Sequence, residues 1–392
     1  MGNGLTDGDV DSRHHGERFA HGCQEFCLGA SAHLERDIEL SGLDALGVFV
    51  QFGTAGAAGD RDHFGTGYFA TFWNPLGSTK FNTSQKDAIF SNTSGDVVGR
   101  NMSTSRALVW PLGIFNSSVA AVTLPLPTDV KDFNGNPVTV TSSYASGTSE
   151  DGAAWGYAYN GSFVTVARWI RDEDGVWQSN SVKPPAGNQA YALSAGTSGW
   201  TVGKAKFETG VSAPFRAFRL QPGIVTFGAS DDLGTLADTS SGKSLTQSSE
   251  ALELREDYGI VGRSQNLYNV WRAYHVAFNA TSGVNPVITQ DAALPGLLAG
   301  GAGTTWTSAA YGLNRQVIKV GYAQTTGSVN RAVMWTGETG NTITDLNSLL
   351  PVNSGWVLQN AIGISEAGFI IGTGTKSGST VPFLLCPARN VN

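Results

Sequence analysis

Histidine, cysteine and paired carboxylates are the residues through which this chain would do acid, nucleophilic or metal chemistry, and their placement speaks against all three. Five of the six histidines (His14, His15, His21, His33 and His63) lie in the N-terminal stretch, together with Cys23 and Cys27. A structural zinc site joins C-x2–4-C to a second ligand pair at defined spacing. Cys23 and Cys27 have three residues between them, which zinc accepts, but the histidines fall at no matching interval. Asp7, Asp9 and Asp11 open like a calcium loop. Ser12 then stands where that loop needs Gly, and Arg18 where it needs Glu. The remaining histidine is His275, so a Ser-His-Asp triad in the rest of the chain would depend on it alone. It sits in Tyr274-His275-Val276, a strand-like setting that suits a hydrogen-bonded sheet histidine.

Hydrolytic carboxylates are no better marked. Glycoside hydrolysis needs two carboxyl groups flanking one bond. Glu150, Asp172, Glu208 and Glu256 are available, but no spacing pairs them. The run Ser149-Glu150-Asp151-Gly152-Ala153-Ala154-Trp155 approaches the Asp-box of sialidase-like proteins. It lacks one residue between Asp and Gly and coincides with a repeated turn, so it reads as a turn. No G-x-S-x-G elbow occurs. The sequence therefore assigns no catalytic, cofactor-binding or metal residues, and leans towards a protein that is not an enzyme.

The elements that would position any site are β-strands. Glycine contributes 50 of 392 residues and charged residues 15%, against a usual share near 25%. That composition fits short strands joined by tight turns. The net charge is −7, with no basic stripe, which excludes a nucleic-acid partner. No apolar run reaches the roughly 18 residues of a membrane helix. Three cysteines at irregular spacing, the third being Cys386, make no disulfide framework.

One phrase recurs: a turn with glycine, two or more β-formers, then a closing glycine. The closing glycines are Gly99, Gly156, Gly203, Gly262, Gly321 and Gly372, on average about 55 residues apart. In the fifth copy, Arg315 to Gly321, the first glycine of the phrase is missing. A second phrase follows each, a small residue before apolar or aromatic ones. Its copies are Arg106 to Trp110, Val166 to Trp169, Arg216-Ala217-Phe218, Arg272-Ala273-Tyr274, Arg331 to Trp335 and Pro382 to Leu385, with Phe69 to Trp73 as a candidate seventh. A third phrase, Asp232-Leu233-Gly234 and Asp345-Leu346-Asn347, marks the exit in two copies. The unit reads as four strands, with its glycines supplying positive-φ turns and close approach between sheets. Four-stranded units of this length suit propeller blades.

These phrases resemble the HAF-type extracellular repeat family of secreted bacterial proteins, most closely over residues 308–387 and more loosely over 88–387. The family's His before Ala-Phe is Arg in most copies here, and the N-terminal sixty residues match nothing in it. The resemblance implies a propeller-like fold and an extracellular or cell-surface location. It implies no established activity.

The expectation is thus an all-β β-propeller of six to seven four-stranded blades over residues 46–387, with an atypical leader over 1–45 and a tail at 388–392. For the N-terminal segment three readings stand: a leader replacing a signal peptide, a divergent first blade, or a metal site. The last repeat leaves no room for a fourth strand before Asn392. The ring should therefore be closed by an N-terminal strand, at Leu46–Gln51 or Phe69–Trp73. The function expected is non-enzymatic binding of a surface ligand, a glycan among the candidates, by a monomer. The insert 111–142 and the loop Tyr268–Trp271 are the candidate binding loops. The alternative is a glycan-acting hydrolase or lyase with carboxylates at the channel mouth.

Overall fold

Each repeat folds back on itself as consecutive antiparallel strands, because its turns are short enough for neighbours in sequence to become neighbours in space. A computed structural model describes residues 49–385, apart from short stretches of which 55–67, 112–119, 239–245, 279–285 and 298–304 are the longest, and side chains from residue 96 on. The first sheet holds β1 (Phe49–Thr54), β2 (Tyr68–Asn74) and β3 (Gly77–Phe81). The second holds β4 (Lys86–Ser91), β5 (Val97–Asn101), β6 (Arg106–Trp110) and β7 (Val122–Thr123). The third holds β8 (Ser142–Thr148), β9 (Ala154–Asn160), β10 (Phe163–Arg171) and β11 (Trp177–Val182). The fourth holds β12 (Ala190–Ala195), β13 (Thr201–Ala205), β14 (Arg216–Leu220) and β15 (Asp232–Gly234). The fifth has three strands, β16 (Ser249–Arg255), β17 (Gly259–Gln265) and β18 (Trp271–Val276). The sixth has β19 (Ser308–Leu313), β20 (Lys319–Gln324), β21 (Asn330–Thr336) and β22 (Thr342–Asp345). The seventh is β23 (Trp356–Ile364), β24 (Ile370–Lys376) and β25 (Ser379–Leu385).

The protein is therefore all-β, and the six phrase copies fall on six successive sheets. Not every sheet has the four strands expected, since the first, fifth and seventh have three among the described residues. The segments expected to complete the last sheet also pair elsewhere. β1 and β2 pair with each other, from Phe49 opposite Trp73 to Thr54 opposite Tyr68, and β2 spends its other edge on β3. A local hairpin closes at far lower loop entropy than a pairing three hundred residues away. β1 nonetheless lies beside both β25 and β4. The proposed boundaries at 1–45 and 388–392 lie outside the described residues, as do the cysteines and the N-terminal histidines.

The recurring closing glycine lies in the second strand, where its phrase puts it. It stands mid-strand, directly opposite a recurring alanine of the first strand: Ala145 opposite Gly156, Ala192 opposite Gly203, Ala251 opposite Gly262, Ala310 opposite Gly321, Ala361 opposite Gly372. In all five sheets the register slips by one residue just past that alanine, a β-bulge. The bulge turns the carbonyl before the alanine towards the glycine. A Cβ there would stand 1.9–2.0 Å from the carbonyl oxygens of Tyr144, Tyr191, Glu250, Ala309 and Asn360. The other glycine of the phrase is the turn residue, at φ 78° in Gly152 and 84° in Gly199 and Gly368. In the fifth copy Val317 takes that place at φ 57°, a conformation costly for a β-branched side chain.

Successive sheets pack face to face, and each core cluster belongs to two neighbours. Val98, Ala107 and Val109 meet Ala145, Ala154 and Trp169. Trp200, Val202 and Leu233 meet Ala251, Ile260 and Tyr274. Val320, Ala332 and Leu346 meet Leu358, Ala361 and Phe383. The small alanine of the second phrase lets the next sheet approach its backbone. The N–H groups of Ala107, Ala217 and Ala273 donate across to the hydroxyls of Ser143, Ser249 and Ser308 at 2.8–3.0 Å. The phrase's tryptophans are anchored too: the Trp169 and Trp335 indoles donate to the carbonyls of Pro125 and Pro295 at 2.7 and 2.9 Å.

Candidate functional site

The bulge that demands glycine also aligns a row of side chains. The residue after each recurring glycine pairs with the residue before the recurring alanine. The resulting cross-strand pairs are Tyr157–Tyr144, Lys204–Tyr191, Arg263–Glu250, Tyr322–Ala309 and Thr373–Asn360. All occupy one register level on successive sheets, so they form an arc. Its links are contacts. The Arg100 guanidinium lies over Tyr144 at 5.0 Å, Tyr144 stacks on Tyr157 at 5.2 Å, and Tyr157 meets Tyr191 edge-on at 5.0 Å. Lys204 sits over Tyr191 and Phe215 and reaches Glu250 at 2.7 Å. Arg263 takes the other Glu250 oxygen at 2.9 Å and lies 4.6 Å over Trp271.

The arc is half-buried, which perturbs its titrations. Burial pushes Tyr157 up to about 12, with the Arg100 charge partly opposing, and burial raises Tyr191 as well. Burial also works to raise Glu250, but hydrogen bonds and charge from Lys204 and Arg263 outweigh it and hold the carboxyl below its usual range. The arc thus keeps neutral phenols beside a fixed cation–anion–cation triplet at neutral pH. Aromatic faces with a few fixed polar groups are the composition of a small-molecule recognition surface.

Further along the first strands lies a second cluster. The Ser194 hydroxyl donates to Glu253 at 3.1 Å, and Arg255 Nε stands 3.7 Å from Glu253 and 3.8 Å from Glu366. Burial raises the Glu253 carboxyl, with the Arg255 charge opposing. Sharing one nitrogen brings the two carboxylates close together, as hydrolytic pairs require.

The carboxylates singled out in the sequence do not assemble. Asp172 caps its own turn, accepting from Val176 at 2.8 Å and Gln178 at 2.7 Å, bonds that hold its carboxyl below the usual range. Glu208 is half-buried elsewhere, and Glu150 and Glu256 lie outside the described residues. Asp151 of the near Asp-box accepts the Ala153 N–H and pairs with Arg168 at 3.0 Å, so that run is a turn. Of the candidate loops, Tyr268–Trp271 delivers Trp271 to the arc. Sequence reasoning missed Tyr157, Tyr191, Lys204, Glu250 and Arg263. Their signal was available as the position after each recurring glycine.

His275 occupies β18 and donates from Nε2 to the Tyr258 carbonyl at 3.1 Å. Burial chiefly, with the Lys319 charge, lowers it from 6.5 to about 4. A base whose folded pKa is depressed takes up its proton more readily when unfolded. Stability should therefore fall as pH drops from about 6.5 to about 4, by up to about 3 kcal/mol from this residue. Urea unfolding of wild type and His275→Gln across that window should show the variant's slope flattened. Equal slopes would remove His275 as the cause.

No family model matches the chain, and no curated protein matches it. Among solved structures it is similar to a putative gluconolactonase, at 10% identity over 76% of this chain and 87% of that one, with a TM-score of 0.34. It is also similar to Porphyromonas gingivalis dipeptidyl peptidase 4, at 11% identity over 85% of this chain and 42% of that one, with a TM-score of 0.28. The chain spans less than half of that peptidase, and at such scores neither likeness bears on what this protein does.

Proposed function

We propose that this protein is a β-propeller of the HAF-type kind, displayed outside the cell, that binds a glycan without turning it over. The succession of sheets and the approach of β1 to both β25 and β4 support a ring of six or seven blades. The repeat phrases support the extracellular placement. The observation that carries the binding reading is the arc itself. Four aromatic rings run in succession, Tyr144 stacked on Tyr157 and Tyr157, Tyr191 and Phe215 meeting edge-on, beside Lys204, Glu250 and Arg263. Sugar rings offer apolar faces to stack and hydroxyls to bond, and this row supplies both partners. Tyr157→Ala should weaken binding of a neutral oligosaccharide at least tenfold in calorimetry, about 1.4 kcal/mol, and leave the unfolding midpoint within a few degrees. Wild-type protein that binds nothing across a neutral-glycan panel would overturn this reading.

The Glu253–Arg255–Glu366 cluster favours a second reading, glycan hydrolysis. It requires turnover of a chromogenic glycoside that Glu253→Gln abolishes. Turnover of that kind would displace the non-enzymatic reading.

A further inference from the structure

A cleft of roughly 680 Å3 opens on the flank of the third and fourth sheets, well within the size of small-molecule sites. One wall is the insert after β7. Val130 and Val138 are tied in a hairpin, and its tip is fixed where the Phe133 N–H donates to the Asn188 side chain at 2.8 Å. The insert contributes Asp129 and Lys131; β9, β10 and the end of β11 contribute Trp155, Arg168 and neighbouring Lys183; the segment 223–226 closes the far side. Three cations thus face one carboxylate in a chain whose net charge is −7.

Two buried donors of residues that line this cleft have no acceptor among the described residues. Trp155 is 1% exposed, yet its indole N–H has no hydrogen-bond partner among the described residues. The buried indoles Trp169 and Trp335 each donate to a proline carbonyl. Arg168 stands opposite Trp155 in the ladder, 5.2 Å over its ring, and its Nε–H is also unpartnered. Among the described residues its Nη2 is committed to Asp151. Buried donors in native proteins find acceptors. An oxyanion would satisfy both the indole and the guanidinium N–H, with two lysines nearby to favour its charge.

We propose that this cleft is a second binding site, independent of the arc, for an acidic saccharide of one or two units that carries a carboxylate or sulfate. The volume exceeds what a bare ion needs, and Ile224, Val225 and Val182 supply apolar wall for a ring. The anionic group seats against Trp155 and Arg168, with Lys131 and Lys183 at the rim.

Calorimetry and tryptophan fluorescence with digalacturonate, its methyl ester and a sulfated disaccharide test this. Saturable, salt-sensitive binding of one of the two acids is expected, and which acid binds identifies the anionic group. The methyl ester should bind at least tenfold more weakly than digalacturonate if the group is a carboxylate. Trp155→Phe keeps the buried ring and deletes the N–H, and should weaken the acid at least tenfold. Lys131→Ala, on an exposed residue that leaves folding intact, should weaken it several-fold should the tryptophan variant fail to fold. Tyr157→Ala should leave acid binding unchanged, so failure here is distinguishable from failure at the arc. Absence of saturable binding by either acid, or binding untouched by both cleft variants, overturns the proposal.

Discussion

Gly262→Ala should destabilise the protein by about 3 kcal/mol or more, although ordinary propensity points the other way. Gly262 is extended and mid-strand, a setting where alanine normally gains about 0.5–1 kcal/mol by restricting the unfolded chain. The bulge reverses that sign. An alanine Cβ would lie 2.0 Å from the Glu250 carbonyl oxygen and 3.0 Å from the Tyr274 ring, and Tyr274 is fully buried. The carbonyl cannot swing aside without undoing the register slip between Ala251 and Glu253. Undoing it would move Glu250 away from Arg263 and Lys204. The variant should therefore lose both urea resistance and ligand binding at the arc. Gly296→Ala is the control, because its Cβ meets only the Arg272 guanidinium at 3.5 Å, and it should stay within about 0.5 kcal/mol of wild type. A Gly262→Ala protein as stable as wild type would show that the bulge relaxes freely, and that carbonyl crowding is not what keeps glycine at this position of the repeat.

The spacing of those glycines was legible in the sequence, and it located the second strand of each sheet. The segments 361–364 and 382–385 fall on β23 and β25, and 369–372 falls on β24 but for its first residue. Why the glycines recur was not legible. A turn glycine and a bulge-facing glycine look alike in a string, and only the direction of the Glu250 or Tyr191 carbonyl tells them apart. The arc was hidden for a related reason. Tyr157 and Tyr191 are far apart in sequence and belong to different sheets, so their contact needs both the register and the packing of neighbouring sheets. His275 was readable because its strand context alone fixes a carbonyl partner. The pairing of β1 with β2 was not legible, because the need to close a ring says nothing of the lower entropy cost of a local hairpin.

Arg216→Met should cost about 3–5 kcal/mol, the range for leaving a buried charge without its partner. Arg216 opens one Arg-Ala-Phe phrase, and its guanidinium side chain is 1% exposed. Nε meets Asp232 at 3.2 Å and Nη2 meets Asp238 at 3.1 Å, with both carboxylates only 7% exposed. Asp232 also accepts the Gly234 N–H at 2.9 Å, and Asp238 the Thr235 hydroxyl at 2.7 Å. The Ser249 hydroxyl donates to the Gly234 carbonyl and accepts from Ala217, which ties this network to the next sheet. Methionine would fill the space and leave two buried carboxylates facing each other. The cost lies in that stranded charge and not in the ion pair as such. Adding Asp232→Asn and Asp238→Asn to Arg216→Met should therefore recover much of the loss in urea unfolding. The equivalent pair in the sixth sheet, Arg331–Asp345, is 3.9 Å apart with side chains 33% and 27% exposed. Water screens it, and Arg331→Met should cost no more than about 1 kcal/mol. The same phrase thus carries an essential charge in one sheet and a dispensable one in another. Equal losses at the two positions would show that burial is not what separates them.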